Sequence, residues 1–312
     1  MEPISLDEGQ ALAGLRMMKA IALADGALSD KETNLIEAAA RALGHPVDVA
    51  SLEPVRPDVV ARALGTRILR ERAVQAAILV AMIDGEASLA EVGTIETFAR
   101  ALEVDEPRLE NLRQLARGHV RRMWLDLARR SFARPIFEDA YERQGLRGIL
   151  QIALPLVGLG KDPDRVRRYN DLGALDEGTF GRAYWRFVVD NALGFPGEGA
   201  VAEEGVWHDL SHVLSGYGID PEGEVQVVSF IAGYRREDPF FWIFTIALQF
   251  HLGIKVSPFS PPMIGRFDPE LVIAAMRRGM AMNRDLSDAW DYWPDLPLPL
   301  DEVRARYGVP PR

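Results

Sequence analysis

Hydrophobic residues along most of the chain recur every three or four positions, the spacing that places them on one side of an α-helix. Strands with alternating hydrophobicity that are joined by Asn-Gly or Asp-Gly hairpins are lacking. We therefore predict an all-α protein. Beyond residue 135 the pattern predicts amphipathic helices that are separated by proline and glycine, at Leu146–Leu159, Gly178–Asn191, Gly205–Leu214, Glu222–Tyr234, Phe240–Leu252, Pro269–Met282 and Leu300–Tyr307.

The front of the chain contains an internal repeat with an offset of 59 residues. In each copy an apolar helix, Met18–Ala24 or Ala76–Ile83, ends at Asp-Gly, and a second helix begins at Ser-x-x-Glu. The serine and the glutamate of this motif form a capping box, in which they satisfy two otherwise unpaired amides. The pattern therefore predicts a duplicated helix-turn-helix unit.

Composition narrows the chemistry that the chain can perform. It has 312 residues, which suggests about two domains, and no cysteine. Disulfides, thiolate nucleophiles, iron–sulfur clusters and cysteine-bound zinc are therefore excluded, and a metal must be held by histidine and carboxylates. The net charge of −10 argues against a nucleic-acid partner, because binding to duplexes needs a concentrated cationic surface.

Charge is spread unevenly along the sequence. Residues 1–110 carry a net charge of −8, whereas residues 113–147 hold nine arginines and four acidic residues. Two interpretations of this basic segment stay open: a solvated linker helix that docks on the acidic first domain, or a surface that contacts anionic lipid headgroups. Five of its arginines, in a stretch that also contains Trp124 and Phe132, are Arg117, Arg121, Arg122, Arg129 and Arg130.

A histidine pair carries the most specific chemistry. His208 and His212 lie four residues apart, so that a helix presents both imidazoles on one face, and Asp209 is a third ligand or an orienting neighbour. The glycines and the Asp-Pro pair within Gly216–Pro221 end this helix and begin the next one. Glu224 falls in the first turn of that second helix and can fold back onto the histidines. We predict a site with two histidines and two carboxylates.

Both regions resemble known families. The doubled Asp-Gly-x-x-Ser-x-x-Glu turn resembles the TerB-like family of tellurite-resistance proteins over about residues 12–112. His-Asp-x-x-His, followed after eleven intervening residues by glutamate, resembles the signature of the Coq4 family of ubiquinone-biosynthesis proteins. Flanking segments such as Gly178–Tyr184 and Leu300–Val309 extend this second resemblance to about residues 133–312.

The Coq4 resemblance implies a divalent metal, most often described as zinc, on His208, Asp209, His212 and Glu224. Ligand chemistry alone also suits Mn²⁺, Fe²⁺ or Co²⁺. The family acts on a polyprenylated benzoate during quinone assembly. The resemblance therefore implies a metal-dependent carbon–carbon lyase that carries out decarboxylation or oxidative decarboxylation of the head group.

Further residues are candidates for the reaction. Tyr217 and Asp220 are a possible donor or acid near the metal, although both also suit a plain turn. Arg182 and Arg236 are candidate partners of a substrate carboxylate, because a guanidinium matches a carboxylate with two hydrogen bonds. The stripe that contains Trp242 and Phe244 suits an apolar substrate tunnel or an ordinary helix core.

A second cation site is suggested by the TerB resemblance. It would bring together the two aspartates and the two glutamates of the repeated turns, although capping alone also explains these residues. The four acidic residues are Asp25, Glu32, Asp84 and Glu91.

We predict three segments: an acidic TerB-like domain at 1–112, a basic linker helix at 113–132 and a Coq4-like domain at 133–312. The expected partners are a prenylated aromatic precursor, other quinone-biosynthesis enzymes and further copies of the chain. Two alternatives stay open: a non-catalytic scaffold that binds prenyl lipid, and a stress-response adaptor of the TerB type. The longest uncharged stretch, Pro239–Ile254, is shorter than the roughly 20 residues of a spanning helix. We expect a bacterial cytoplasmic protein, peripheral to the inner face of the membrane, without a targeting peptide.

Overall fold

The computed structural model describes residues 6–130, 161–198, 201, 203–257, 260–287 and 289–312. Within these ranges the chain is helical and has no strand, only the isolated bridges Thr179 to Pro299 and Leu252 to Ile264. The prediction of an all-α protein is confirmed. The predicted helix Leu146–Leu159 lies outside the described residues.

Fourteen α-helices lie in the described ranges. The predicted helices there are present, and the one expected at Phe240–Leu252 ends as a π-helical turn at Ala247–His251. The helices are α1 (Glu8–Ala22), α2 (Asp30–Ala42), α3 (Pro57–Ala63), α4 (Arg67–Ile83), α5 (Leu89–Leu102), α6 (Pro107–Ala116), α7 (Val120–Arg130), α8 (Pro163–Asn170), α9 (Phe180–Asp190), α10 (Val206–Ser215), α11 (Pro221–Tyr234), α12 (Pro239–Ile246), α13 (Pro269–Met280) and α14 (Leu300–Tyr307).

Packing divides the chain into two compact units. Unit 1 contains residues 1–127 and 237–277, and unit 2 contains residues 128–236 and 278–312. The predicted segments at 1–112, 113–132 and 133–312 were defined by the two family resemblances and by the basic stretch between them, and they stay a prediction. No helix in the described part of the chain is long and apolar enough to cross a bilayer.

Unit 1 contains the two helix-turn-helix copies that the repeat predicts. The hydroxyls of Ser29 and Ser88 each accept from the amide of the glutamate three residues later, whose carboxylate accepts from the serine amide in return. The turn that precedes each serine contains a glycine in the left-handed conformation, with φ of 112° at both Gly26 and Gly85. Residues with a Cβ rarely adopt this conformation, which explains the glycine in each copy.

Equivalent positions of the two copies contribute to the core of unit 1. Ile36 of α2 and Ile95 of α5 are fully buried, as are Ile21 of α1 and Val80 of α4. Complete burial of an isoleucine side chain contributes roughly 1.5–3 kcal/mol to stability. The repeat is thus stabilised by matching apolar faces as well as by matching caps.

Residues 237–277 are held in unit 1 by three long-range polar contacts. The buried Arg108 forms an ion pair with Asp238. Nε2 of His251, on the π-helical turn, donates to the carbonyl oxygen of Ile83 at 2.7 Å. On the surface, Arg41 donates to Glu270 at 2.8 Å. The partners lie far apart in the sequence, so local sequence patterns could not predict these contacts.

Unit 2 contains α10 and α11, and its interior is built from aromatic side chains and from glycines at positions of close contact. A Cβ on Gly279 would come within 2.0 Å of the carbonyl oxygen of Phe230, so that α13 and α11 approach at a position where only glycine fits. Trp290 donates to Asp295 at 3.2 Å and to the hydroxyl of Tyr307 at 3.1 Å in a buried network. The first of these contacts positions α11, which bears part of the histidine motif.

Candidate metal centre

The helices α10 and α11 form a tight hairpin around the loop that the sequence predicts. Gly216 ends α10 in a left-handed conformation, with φ of 77°. Asp220 caps α11 by accepting from the amide of Gly223 at 2.8 Å. A Cβ on Gly223 would lie 2.1 Å from the carbonyl oxygen of Gly218, so the loop can close this tightly only with glycine there. The hairpin thereby turns the first turn of α11 toward the last turns of α10.

Three side chains converge across this hairpin. Nε2 of His212 lies 3.6 Å from Oε1 of Glu224, and Nε2 of His208 lies 3.9 Å from Oε2 of the same carboxylate. One ligand atom from each of the three residues lies within 4.8 Å of the others. The structure thus brings together three of the four predicted ligands.

His212 is oriented as a metal ligand. Its Nδ1 donates to the carbonyl oxygen of Tyr217 at 3.1 Å, which leaves the lone pair of Nε2 directed at the Glu224 side. The ring of Phe187 stacks on the imidazole, with centroids 5.2 Å apart and planes 25° apart. Because the residue is 2% exposed, both contacts restrict the ring to one orientation.

Asp209, the fourth predicted ligand, takes a different position. Its Oδ1 lies 3.5 Å from Nδ1 of His208, on the side of the ring opposite the Nε2 that faces Glu224. A carboxylate behind a histidine fixes the tautomer and raises the basicity of the nitrogen that binds a metal. The structure gives Asp209 the geometry of an orienting neighbour, one of the two roles that the sequence left open.

Electrostatics act differently on the two histidines and disfavour the charge of the glutamate. Burial, and then the proximity of His208, lowers the pKa of His212 to about 3, so its imidazole is neutral near pH 7. Burial alone would lower the pKa of His208. The hydrogen bond to Asp209 and the charges of Glu224 and Asp209 have a larger effect in the opposite direction, so the pKa is raised. Burial raises the pKa of Glu224, because its charge is costly there. A cation between the three groups would relieve that cost.

The donor set fits a divalent metal. Two imidazole nitrogens and a carboxylate are ligands that zinc, manganese, iron and cobalt share. Ligand atoms about 2.1 Å from a tetrahedral metal lie about 3.4 Å from one another. The separations between the histidine nitrogens and the carboxylate oxygens, 3.6 and 3.9 Å, are close to this value, and the three ligand atoms would draw together from within 4.8 Å. The triad of His208, His212 and Glu224 can therefore hold a metal ion.

Three arginines, which the sequence did not single out, hold the end of α10. Arg304 donates to the carbonyl oxygens of Val213 and Leu214 at 3.2 and 3.0 Å. Arg278 donates to Ser215, and Arg312 to Gly216, at 3.1 and 3.0 Å. A helix leaves its last four carbonyls without intrahelical partners, and here arginines serve these groups. The guanidinium groups of Arg278 and Arg312 also lie over the ring of Tyr217, at 5.1 and 5.3 Å.

This arginine cap acts on the residue that orients His212. Tyr217 contributes its main-chain carbonyl, while its ring lies between the arginines and Phe230. Asp220 caps α11. Both residues therefore have structural contacts of the turn type, and a catalytic role for either stays a prediction.

The other predicted substrate residues have partners of their own. Arg182 interacts with Glu177 and with the carbonyl oxygen of Gly173. Arg236 approaches the carbonyl oxygen of Asn283 at 3.5 Å. Trp242 and Phe244 are buried in α12, in unit 1, where a helix-core role accounts for their burial. Substrate binding by these four residues stays a prediction.

The four acidic residues of the predicted second cation site are used within their own turns. Glu32 and Glu91 accept from the amides of their capping serines at 2.7 and 3.0 Å. Oδ1 of Asp84 accepts from the amide of Glu86 at 3.1 Å, and Asp25 makes a longer contact of the same kind. Among the described residues, three ligand atoms gather only at the histidine triad. A cation at the repeated turns stays a prediction.

No protein-family model matches the chain, and no curated protein matches it either. The argument for a function therefore comes from the geometry of the hairpin and from the sequence motif. Phe187 and the arginine cap were missed in the sequence because they lie far from the motif along the chain. The one signal was Arg304, which lies in the segment Leu300–Val309 that resembles the Coq4 family.

Proposed function

We propose that the chain is a metal-dependent enzyme that modifies the ring of a polyprenylated benzoate in ubiquinone biosynthesis, with zinc as the metal. Loss of the ring carboxyl, by decarboxylation or oxidative decarboxylation, is the reaction class. The observation that carries the proposal is the convergence of His208, His212 and Glu224 across one hairpin. The resemblance of the motif and its flanks to the Coq4 family supplies the substrate class.

The number of ligands favours catalysis over a purely structural metal. Structural zinc sites are closed by four protein ligands, whereas catalytic sites have three and keep a position for water or substrate. Three residues converge here, and Asp209 faces the far side of His208. This arrangement argues against the alternative of a non-catalytic scaffold with a structural metal, and no contact in the described residues favours a stress-response adaptor.

Each residue has a distinct part in the proposed site. His208, His212 and Glu224 would hold the metal, Asp209 orients His208, and the carbonyl of Tyr217 orients His212. When bound, a divalent metal supplies Lewis-acid polarisation of a substrate carboxylate. Phe187 covers one face of His212 and keeps water from that side of the ring. In the simple decarboxylation, the bond between ring and carboxyl carbon breaks, its electron pair stays on the ring, and a proton replaces CO₂.

The location and the partners belong to the same proposal. A substrate with a long prenyl tail resides in a bilayer, so the chain would work at the inner face of the cytoplasmic membrane as a peripheral protein. Other quinone-biosynthesis enzymes and further copies of the chain are proposed partners.

The test is turnover of a prenylated hydroxybenzoate by the purified, zinc-loaded full chain. We expect CO₂ release that His212→Ala abolishes and Asp209→Asn reduces by about ten- to hundred-fold, the usual effect of losing an orienting carboxylate. His45→Ala, which alters a half-buried histidine of unit 1, serves as the control and should leave turnover unchanged. Equal turnover by His212→Ala would refute the proposal.

A further inference from the structure

Helix α7 presents an unusual surface for a chain of net negative charge. Trp124 is 47% exposed and Leu125 is 59% exposed, and Val120 is exposed on the same helix. The arginines Arg121 and Arg122 are exposed beside them. Large apolar side chains of this kind are usually buried, so a pair of them among arginines calls for an explanation.

The inner face of α7 already has its partners. Met123 is fully buried, and Leu127 is 5% exposed. Asp126 is also buried and accepts from the side-chain amide of Asn111 at 2.9 Å. Because this aspartate is the one acidic residue of the helix, its inward position leaves no negative charge on the exposed face. The tryptophan and the leucine are therefore exposed although the helix is docked.

The arginines at the start of α7 and in the turn before it differ from most of those elsewhere in unit 1. Within the described residues, Arg117, Arg121 and Arg122 have no acidic partner within salt-bridge distance, although the first 110 residues carry a net charge of −8. Most other arginines of this unit pair with a carboxylate. The paired ones are Arg41, Arg56, Arg62, Arg67, Arg70, Arg108 and Arg113. These three arginines therefore do not support the interpretation in which the basic segment docks on the acidic first domain.

From this contrast we infer that the exposed face of α7, together with Arg117 in the turn before it, is a docking surface for an anionic lipid bilayer, with Trp124 and Leu125 entering the headgroup region and Arg117, Arg121 and Arg122 binding lipid phosphates. A helix with arginines beside exposed tryptophan and leucine is the type that lies in the plane of a membrane interface. The acidity of the rest of unit 1 matters little at this range, since charges are screened over about 8 Å at physiological ionic strength.

The inference deepens the peripheral location in the proposed function, and it names the surface responsible. It does not depend on the metal, because the residues that carry it all belong to unit 1, whereas the histidine triad belongs to unit 2. Lipid binding and metal chemistry can therefore fail separately. A variant of each kind distinguishes the two outcomes.

The experiment is co-sedimentation of the full chain with phosphatidylcholine vesicles, prepared with and without phosphatidylglycerol. We expect binding only where the anionic lipid is present, with loss at high salt. Arg121→Gln/Arg122→Gln should weaken binding by about five-fold for each arginine, and Trp124→Ala/Leu125→Ala by roughly ten-fold or more.

Matched controls lie on the same unit. Leu89→Ala removes a leucine of similar exposure, 56%, from α5, and Arg56→Gln/Arg67→Gln removes two exposed arginines that have acidic partners. Both should bind as the unaltered chain does, and so should His212→Ala. Circular dichroism confirms that each variant is folded. Absence of binding to anionic vesicles overturns the inference, as does equal loss in the control variants. It is also overturned if Trp124→Ala/Leu125→Ala dissociates an oligomer in sedimentation velocity without affecting vesicle binding.

Discussion

Glutamates occupy the first turn of a helix both in the repeated turns of unit 1 and in the hairpin of unit 2, but only the hairpin leaves the carboxylate free. In α2 and α5 the glutamate is the third residue after the capping serine and accepts from the serine amide. In α11 the third residue after the capping Asp220 is Gly223, and Glu224 comes one position later. A shift of one residue thus separates a capping carboxylate from a ligand.

The two regions also differ in what opposes the acid. Glu91 faces other carboxylates, since Glu32 and Asp84 add to the increase of its pKa. Asp209 and Asp220 likewise raise the pKa of Glu224, but this carboxylate also faces two imidazoles, with which it shares one metal-binding geometry. Acidic residues near a turn therefore indicate a metal site only when the cap is made by another residue and when imidazole nitrogens lie opposite.

Replacement of Gly223 is expected to have the largest effect, because it attacks the feature that frees Glu224. In Gly223→Ala the new Cβ would meet the carbonyl oxygen of Gly218 at 2.1 Å, so the hairpin must open. We expect loss of measurable zinc binding, with a fall in unfolding free energy of about 1–3 kcal/mol. Gly93→Ala in α5, where a Cβ meets nothing within 4 Å, should keep stability equal or higher. Unchanged zinc affinity in Gly223→Ala would contradict the proposed geometry.

The buried carboxylate of Glu91 in unit 1 should affect the pH dependence of stability and not the binding of metal. Burial raises the pKa of Glu91 to about 7. The folded state therefore holds a proton that the unfolded state releases near pH 4.5, so this group's stabilising contribution is lost as pH rises from about 4.5 to 7 and is constant above that. The loss is on the order of 3 kcal/mol. Glu91→Gln should remove most of this slope in urea unfolding measured at pH 5 and pH 8. The same slope in both proteins would show that Glu91 does not cause it.

The arginine cap predicts a moderate effect on unit 2. Arg278→Gln removes a donor to Ser215 and a cation over Tyr217, and thereby loosens the carbonyl that orients His212. We expect zinc affinity, measured by competition with a chelator, to fall by about ten- to hundred-fold. Arg277→Gln alters the exposed neighbouring arginine and should bind zinc normally. If both variants bind zinc equally, the arginine cap has no part in positioning the ligands.

The smallest effect is expected from a cap in the repeat. Ser88→Ala removes the hydroxyl that accepts from the amide of Glu91 at 3.1 Å. We expect a loss of about 1 kcal/mol in unfolding free energy and no change in metal content. Ser29→Ala should give a similar loss, since the two caps share one geometry. A drop in bound metal for either variant would mean that the repeated turns hold a cation after all.

Local patterns in the sequence predicted the all-α class, both capping boxes and the helices on either side of the histidine motif, because each depends on residues within a few positions. The convergence of His208, His212 and Glu224 was also within reach, since a short loop joins their helices. The packing of residues 237–277 with unit 1 was not, because it depends on contacts such as His251 with Ile83 between distant segments. The arginine cap could not be predicted for the same reason.

The most direct measurement is the metal content of the purified full chain, determined by elemental analysis after zinc loading and dialysis. We predict one equivalent of zinc in the unaltered protein, and none in His212→Ala or Glu224→Ala. We predict one equivalent again in Glu32→Gln and Glu91→Gln, whose carboxylates serve as caps. Metal retained by His212→Ala, or metal lost from Glu91→Gln, would contradict the assignment of the metal centre to the hairpin of unit 2.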